Sequence, residues 1–219
     1  IAFSLNRNVK GRVYLRDSKV LGSTNLAVGD IVEVKLITKS RIGFVGELID
    51  KIKGHSVADL AIQTTLRNLD IPKSWPAEVK QMVEDFSEAI SPQEYLTRLD
   101  LTSLPFITID GETAKDFDDA VYAEPFKDEG WRILIAIADV GHYVNDGSPI
   151  DIEARNRGTS VYFPEFVVPM LPEQLSNDRC SLVPGEDRLA IVCEVFLYPG
   201  FSESHFQFHQ AVIRSKART

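Results

Sequence analysis

The chain contains 219 residues, of which 44% are apolar and 26% are charged, and its formal net charge is −8. An apolar fraction of this size excludes a disordered or collagen-like chain and predicts one or two folded domains of roughly 150 residues each. The overall acidity also argues against nucleic-acid binding, because neutralising phosphates requires Lys and Arg.

The first 54 residues differ from the rest in charge and in pattern. They contain 10 Lys and Arg against 5 Asp and Glu, whereas residues 55–219 contain 14 against 27. Alternating segments predict strands at Gly11–Leu15, Asp30–Lys39 and Ile42–Ile52, with a turn at Gly22–Asn25. We interpret residues 1–54 as the C-terminal part of an OB-like β-barrel. Its basic side chains either bind a nucleic acid or form an ordinary solvated strand surface; they are Lys10, Arg12, Arg16, Lys35, Lys39 and Arg41.

Residues 55–99 have helical periodicity and are interpreted as a helical connector. Ser56, with an aspartate three residues later, is typical of a helix N-terminus and predicts a helix over residues 57–67. Apolar residues at helical spacing predict a second helix over residues 76–90, and Ser91-Pro92 predicts the start of a third. We expect no functional residue in this connector.

Residues 100–219 mix strands and helices, which assigns the chain to the α+β fold class. A helix is expected to begin at Ser148-Pro149 and to end at Gly158. The unbroken apolar run Ile133–Ala138 predicts a strand that is buried on both faces. Strands are predicted at residues 106–109, 120–123, 131–140, 159–163, 189–197 and 205–214.

Cysteine usage and hydropathy indicate a cytoplasmic protein without a membrane partner. Cys180 and Cys193 have no second pair, which fits neither a disulfide framework nor a zinc site, so we interpret them as reduced thiols. The longest apolar run, Ile133–Ala138, is far shorter than the roughly 20 residues that a membrane helix needs. Because the chain begins with Ile and ends in a strand-like segment, we expect it to be a fragment of a longer protein.

Five carboxylates occur within the ten residues 110–119, between two apolar strands. Four of them are aspartates with the spacing Asp-x5-Asp-x-Asp-Asp: Asp110, Asp116, Asp118 and Asp119. Clustered like charges cost stability unless a cation neutralises them, and short, hard oxygen ligands suit Mg²⁺. One or two Mg²⁺ ions here would activate a water and stabilise the leaving oxygen of a phosphodiester. The alternative is an acidic, solvated turn; a calcium-binding EF-hand is excluded because Lys115 stands where that loop requires Gly.

The segment TIDGETAKDFDDAVYAE resembles the signature of the ribonuclease II and ribonuclease R family, whose catalytic domain is called RNB. The resemblance continues through IAIADVGHYV, GTSVYFPEFVVPMLPEQLSNDRCSL and VIRSKART. It is dense over residues 100–219, which would be the N-terminal part of an RNB domain, and weaker over residues 55–99. Residues 1–54 resemble the end of a cold-shock OB domain of that family. The chain departs from the family pattern at Gly141, where Ser is usual, and at Asp178, where Gly is usual.

The resemblance implies an exoribonuclease that hydrolyses single-stranded RNA from 3′ to 5′, processively, to nucleoside 5′-monophosphates with Mg²⁺. It implies that Asp110 and Asp119 are the main metal ligands. Asp118 and Asp116 would be both ligands and catalytic residues, Asp118 being the one most needed for turnover and Asp116 supporting a second ion. Tyr162 would stack on a base near the 3′ end of the RNA; the alternative is a half-buried strand tyrosine with a hydrogen-bonded hydroxyl. RNA-decay machinery is a further expected partner.

Two other classes of function remain open at this stage. One is a non-catalytic RNA-binding protein or scaffold that retains an RNB-like domain, and the other is a carboxylate metal-binding domain that does not act on RNA. Because the downstream arginine and glutamate residues of the family's pocket are absent, the isolated 219 residues are expected to be weakly active or inactive.

Four further polar residues are candidates for a site. His205 and His209 could form a metal pair on one strand, although exposed strand histidines are the simpler interpretation. Arg155 and Arg157 could reach a phosphate or could favour the C-terminus of the helix that carries them.

Overall fold

The computed structural model describes residues 1–5, 9–16, 20, 24–86, 89–112, 114–127, 130–164, 166–198 and 204–219. The chain divides into two units, Ile1–Lys73 and Ser74–Thr219. Both units contain strands and helices, so the α+β fold class is confirmed. The strands and helices are numbered below in chain order.

A four-stranded sheet forms the first unit, in the order β1-β2-β4-β3. Strands β3 and β4 form an antiparallel hairpin, whereas β2 runs parallel to β4. The three predicted strands are present with shifted ends, and part of the predicted turn, residues 22 and 23, lies outside the described residues. The strands are β1 (Ala2–Phe3), β2 (Arg12–Leu15), β3 (Val32–Ser40) and β4 (Gly43–Lys51).

The first unit has a small core and an exposed basic surface. Val13, Leu48 and Leu66 are buried, with Leu66 supplied by helix α1 (Val57–Asn68). The six basic residues named above for this unit are all exposed, and none of them forms an ion pair with a described residue. Their charge is therefore available to solvent or to a ligand.

The predicted helices of the connector are present, with one difference in length. The Ser56 hydroxyl accepts a hydrogen bond from the Asp59 N–H (3.1 Å), so the predicted start of α1 is confirmed. Helix α2 (Ala77–Glu84) ends earlier than predicted, because the chain tightens at Asp85 and Phe86, whose N–H groups bond to Gln81 and Val83. Residues 87 and 88 of that prediction lie outside the described residues. Helix α3 spans Pro92–Thr97.

The second unit is built on a six-stranded sheet with the order β11-β8-β7-β6-β12-β5. A long antiparallel pairing of β11 with β12 joins the two sides of the sheet, so that it closes on itself. The strands are β5 (Leu99–Asp100), β6 (Phe106–Thr108), β7 (Asp119–Phe126), β8 (Gly130–Ala138), β11 (Asp187–Leu197) and β12 (Ser204–Arg218). The remaining elements are α4 (Val140–Tyr143), α5 (Pro149–Arg157), a β9–β10 hairpin (Val161–Tyr162 and Val167–Val168) and a π-helix (Leu175–Arg179).

Only one face of strand β8 is buried, so the prediction of a strand buried on both faces is wrong. Leu134 and Ala136 are fully buried, whereas Ile135 and Ile137 are 37% and 49% exposed. The buried face packs against residues of α2, α5 and the π-helix, whereas the side chains of Ile135 and Ile137 on the other face stay partly exposed. An unbroken apolar run therefore shows that both faces of a strand are apolar, but not that both are covered. In this unit, helices cover one face of β8.

Antiparallel pairing places the start of β7, the end of β8 and the start of β11 on the same side of this sheet, where strands end. Asp119 at the start of β7 lies opposite Ile137 near the end of β8. Ala138 in turn lies opposite Ala190, near the start of β11. The predicted aspartates therefore lie at the edge of the sheet where β8 ends and β11 begins.

Candidate active site

Ten residues connect β6 to β7, and three of the four predicted aspartates lie within them. We call residues 109–118 the aspartate loop; the fourth aspartate, Asp119, is the first residue of β7. The described residues of this loop have no regular secondary structure, so tertiary contacts must hold their side chains in position. At the start of the loop, the Asp110 N–H donates to the carbonyl of Thr219, just beyond β12 (3.2 Å).

A buried aromatic ring anchors the other end of the loop. Phe117 is only 6% exposed and belongs to the core of the second unit. Its carbonyl accepts a hydrogen bond from the Leu182 N–H (2.9 Å), and the guanidinium of Arg218 lies 5.6 Å from the centre of its ring. The next carbonyl, that of Asp118, accepts from the Ala138 N–H (2.9 Å). These contacts fix the backbone at the point where the loop continues into β7.

The hydroxyl of Ser181 contacts the loop on both sides of Asp116. It donates to the carbonyl of Lys115 (2.8 Å) and accepts from the N–H of Phe117 (3.0 Å). Ser181 is fully buried. Sequence reasoning assigned Ser181 no role, because a serine 64 residues from its partner leaves no local pattern.

The four aspartates are close enough to interact electrostatically. Although Asp118 retains contact with solvent, desolvation raises its pKa above the ordinary value of 3.8, and repulsion from Asp116, Asp119 and Asp110 raises it further. Three neighbouring carboxylates therefore contribute to one pKa shift. The structure brings the predicted set together at the start of β7.

These aspartates also differ from other carboxylates of the unit in their ion pairing. No ion pair or side-chain hydrogen bond joins any of the four to another described residue. Other carboxylates of the same unit are paired with arginine: Asp139 with Arg98 (2.7 Å), Glu194 with Arg132 (2.6 Å) and Asp187 with Arg214 (2.7 Å). The aspartate loop is therefore a local excess of negative charge that the described part of the chain does not neutralise.

The donor set fits Mg²⁺ in its chemistry. Within the described ranges, no three His, Cys, Asp or Glu side chains are already arranged to hold a metal ion. Mg²⁺ does not require such a cage, since it keeps several waters and is usually bound by one or two carboxylates together with substrate phosphates. Unpaired carboxylates that repel one another are the groups that such a cation would stabilise.

Tyr162 lies on β9 and is 69% exposed. The hairpin that carries it is short, and behind it the rings of Phe163 and Phe166 stack with centroids 4.9 Å apart. The ring of Tyr162 is therefore accessible to a planar ligand, which disagrees with a half-buried tyrosine. No hydrogen bond, ion pair or ring contact among the described residues links it to the four aspartates.

Three of the other polar candidates, Arg155, Arg157 and His209, have structural partners. The guanidinium of Arg157 lies 3.6 Å from the centre of the Trp75 ring and donates to two backbone carbonyls, whereas Arg155 pairs with Asp146 and Asp151. His209 bonds to Glu194 (2.9 Å).

Neither cysteine is part of a disulfide or a metal group. Both are free, as predicted, and Cys180 is buried. Burial raises the pKa of the Cys180 thiol to about 12, so it remains protonated and unreactive at neutral pH. No helix in the described parts of the chain is long and apolar enough to cross a bilayer.

The RNB domain family model matches residues 98–219, which include the aspartate loop, Ser181 and Tyr162. The chain belongs to the RNB domain family. The family resemblance read from the sequence is thereby confirmed.

Curated relatives of this RNB chain include proteins named Ribonuclease R. It is 45% identical over 193 residues to Ribonuclease R of Escherichia coli, a match that covers 87% of this chain and 24% of the relative. The chain therefore spans about a quarter of the length of that relative.

Solved structures of the family have the same fold. RNase R of Mycoplasma genitalium in complex with double-stranded RNA superposes with a TM-score of 0.86 at 30% identity, covering 95% of this chain and 37% of that one. The same enzyme in complex with ribose-methylated single-stranded RNA gives a TM-score of 0.85. Yeast Ssd1, a pseudonuclease, shares the fold with a TM-score of 0.67 at 16% identity, over 85% of this chain and 24% of its own.

Proposed function

We propose that this chain is part of an exoribonuclease that hydrolyses single-stranded RNA from 3′ to 5′ with Mg²⁺, processively, and releases nucleoside 5′-monophosphates. One observation carries the proposal: four aspartates lie so close that three of them raise the pKa of Asp118, and none of the four has an ion-pair partner among the described residues, whereas other carboxylates of the unit are paired with arginine. Relatives named Ribonuclease R, and the RNA complexes of one of them, support RNA as the substrate. We also propose a cytoplasmic location and association with RNA-decay machinery.

The four carboxylates have separate proposed roles. Asp110 lies near the start of the aspartate loop, Asp119 directly follows the loop, and these two would be the main ligands. Asp118 is the residue on which turnover most depends, and Asp116 supports a second ion. The chemistry that bound Mg²⁺ supplies is activation of a water and stabilisation of the leaving oxygen. The protein's own contribution is to keep these carboxylates close to one another before the RNA arrives.

RNA binding is proposed to involve both units. The exposed ring of Tyr162 can stack on a base near the 3′ end, since every base offers an aromatic face. The exposed basic side chains of the first unit can attract the phosphate backbone. The net charge of −8 does not oppose this, because part of it belongs to aspartates that would be neutralised by cations.

The decisive experiment uses the full-length protein and a 5′-labelled single-stranded RNA. With Mg²⁺, the wild type should shorten the RNA from its 3′ end and release nucleoside 5′-monophosphates, and a chelator should stop it. Asp118→Asn should reduce turnover by about 10²-fold or more while RNA affinity is retained. Asp146→Asn is the matched control, because Asp146 is an exposed aspartate paired only with Arg155 among the described residues.

Two outcomes would contradict the proposal. A wild-type protein that binds RNA without degrading it would favour the non-catalytic RNA-binding alternative. Wild-type turnover by Asp118→Asn with Mg²⁺ present would remove the assigned role of that residue.

A further inference from the structure

A side chain from elsewhere in the chain, that of Ser181, bonds to the backbone on both sides of Asp116. Ser181 Oγ lies 2.8 Å from the carbonyl oxygen before Asp116 and 3.0 Å from the amide nitrogen after it. A hydroxyl has one proton to donate, and here it is donated to Lys115 while a lone pair accepts from Phe117. Since Ser181 is fully buried, no water competes for either bond.

The segment that carries Ser181 is itself held in place. It follows the π-helix directly, and the Ser181 N–H donates to the Asp178 carbonyl (3.1 Å). Arg188 Nε donates to the Ser181 carbonyl (2.9 Å) and to the Asp178 carbonyl (3.0 Å), and Arg188 Nη2 reaches the Asp178 carboxylate (3.2 Å). A π-turn in a helical segment often marks a functional site. Ser181 therefore bonds to the loop from a support that is fixed on its other side.

The position of the loop matters because its carboxylates repel one another. A loop without regular structure would relax by spreading such charges apart unless its backbone were fixed. The fixed points on either side of Asp116 are the two bonds to Ser181, with the buried ring of Phe117 next to them.

We propose that Ser181 is a positioning residue, whose hydroxyl fixes the backbone on both sides of Asp116 and so holds the aspartates in a cation-binding arrangement. This inference rests on the proposed function, because it assumes that the aspartates bind a divalent cation. Ser181 touches neither substrate nor metal in this role. It acts only through the backbone of Lys115 and Phe117.

The test compares Ser181→Ala with two other variants in the full-length protein. Ser181→Cys fills the site with a slightly larger atom that is only a weak donor and acceptor, so an effect that it shares with Ser181→Ala comes from the lost hydrogen bonds and not from an empty site. Ser148→Ala is the matched control: its hydroxyl caps α5 by accepting from the Asp151 N–H (3.2 Å), away from the loop.

Two measurements that do not depend on catalysis decide the matter. The first is amide hydrogen exchange at Phe117, and the second is binding of Mn²⁺ alone, measured by titration with electron paramagnetic resonance. Ser181→Ala and Ser181→Cys should speed exchange at Phe117 by about tenfold and weaken Mn²⁺ binding by about tenfold, which corresponds to about 1.4 kcal/mol. Ser148→Ala should change neither quantity. If Ser181→Ala does not fold, Ser181→Cys supplies the same comparison.

The outcomes separate this inference from the proposed function. Unchanged Mn²⁺ affinity and unchanged exchange at Phe117 in both Ser181 variants would overturn the positioning role and leave the proposed function intact. Failure of the wild type itself to bind Mn²⁺ would overturn the proposed function, and the positioning role with it. A lower thermal midpoint with wild-type Mn²⁺ affinity would reduce Ser181 to a purely structural residue.

Discussion

Replacing Phe117 with Ala should unfold the second unit more easily and free the aspartate loop. The side chain is 94% buried, since 6% of it is exposed. A phenylalanine buries at least about 150 Å², which at about 25 cal/mol per Å² is worth roughly 4 kcal/mol. With one methyl retained and a cavity left behind, the expected loss of stability is about 3–5 kcal/mol. The contact with Arg218 contributes about 0.5–1 kcal/mol of this.

Urea unfolding followed by tryptophan fluorescence measures this loss, because both tryptophans of the chain, Trp75 and Trp131, lie in the second unit. Leu134→Ala is the control: Leu134 is fully buried in the same core but lies on β8 rather than in the loop. It should cost about 2–5 kcal/mol. Added Mg²⁺ should stabilise Leu134→Ala as it stabilises the wild type, and should stabilise Phe117→Ala less.

A stability loss below about 1 kcal/mol for Phe117→Ala, together with the expected loss for Leu134→Ala, would contradict this prediction. The ring would then not be the anchor of the loop, whatever its burial. Equal stabilisation of both variants by Mg²⁺ would contradict the link between this anchor and the cation site.

Three further predictions concern other groups. Arg98→Met should destabilise the second unit by about 3–5 kcal/mol, because it strands the buried carboxylate of Asp139 (2.7 Å); urea unfolding measures this loss. Desolvation raises the pKa of Glu194, but hydrogen bonds from His209, Arg132 and Gln207 outweigh it and lower the pKa below its ordinary value of 4.5. The stability of the second unit should therefore fall as the pH drops below about 4.5, which unfolding across a pH series would measure. Tyr162→Ala should weaken RNA binding by about 1–3 kcal/mol, measured by fluorescence anisotropy.

Each of these has its own control. Adding Asp139→Ala to Arg98→Met should recover part of the lost stability, and full additivity in this cycle would contradict a direct ion pair. The sign for Glu194 follows from proton uptake: the unfolded chain binds the proton first, so the bonded carboxylate stabilises the native state above that pH. Glu194→Gln should flatten this part of the pH profile. Tyr162→Phe should retain RNA affinity, since stacking needs the ring and not the hydroxyl.

Local patterns predicted several helices and strands well. The hydroxyl of Ser56 caps α1 as its spacing to Asp59 predicted, and Gly158 ends α5 with a positive φ of 72°. The start of α1 and the end of α5 depend on hydrogen bonds or dihedral angles within a few residues, which the local sequence determines directly. The π-helix and the short strand β5 were missed, because neither has a periodic pattern of its own.

Charged residues were predicted well where their neighbours in the sequence decide their role, and poorly where distant residues do. The spacing of the four aspartates identified the candidate site. Carboxylates within ten residues of one another in the sequence are also near one another in space, where they repel. The sequence did not show whether Arg155 and Arg157 bind a ligand or stabilise the fold. Arg157 stacks on Trp75, which lies 82 positions earlier in the chain, so no local motif could reveal it.

The sequence by itself determined the α+β class, the family and the four carboxylates of the candidate site. Only the tertiary structure decided that one face of β8 is covered, that Tyr162 is exposed, and that Ser181 holds the backbone beside Asp116. The physical reason is range. Caps, turns and charge repulsion act between neighbours in the chain, whereas burial and the partners of a buried hydroxyl depend on segments that meet only when the sheet has closed.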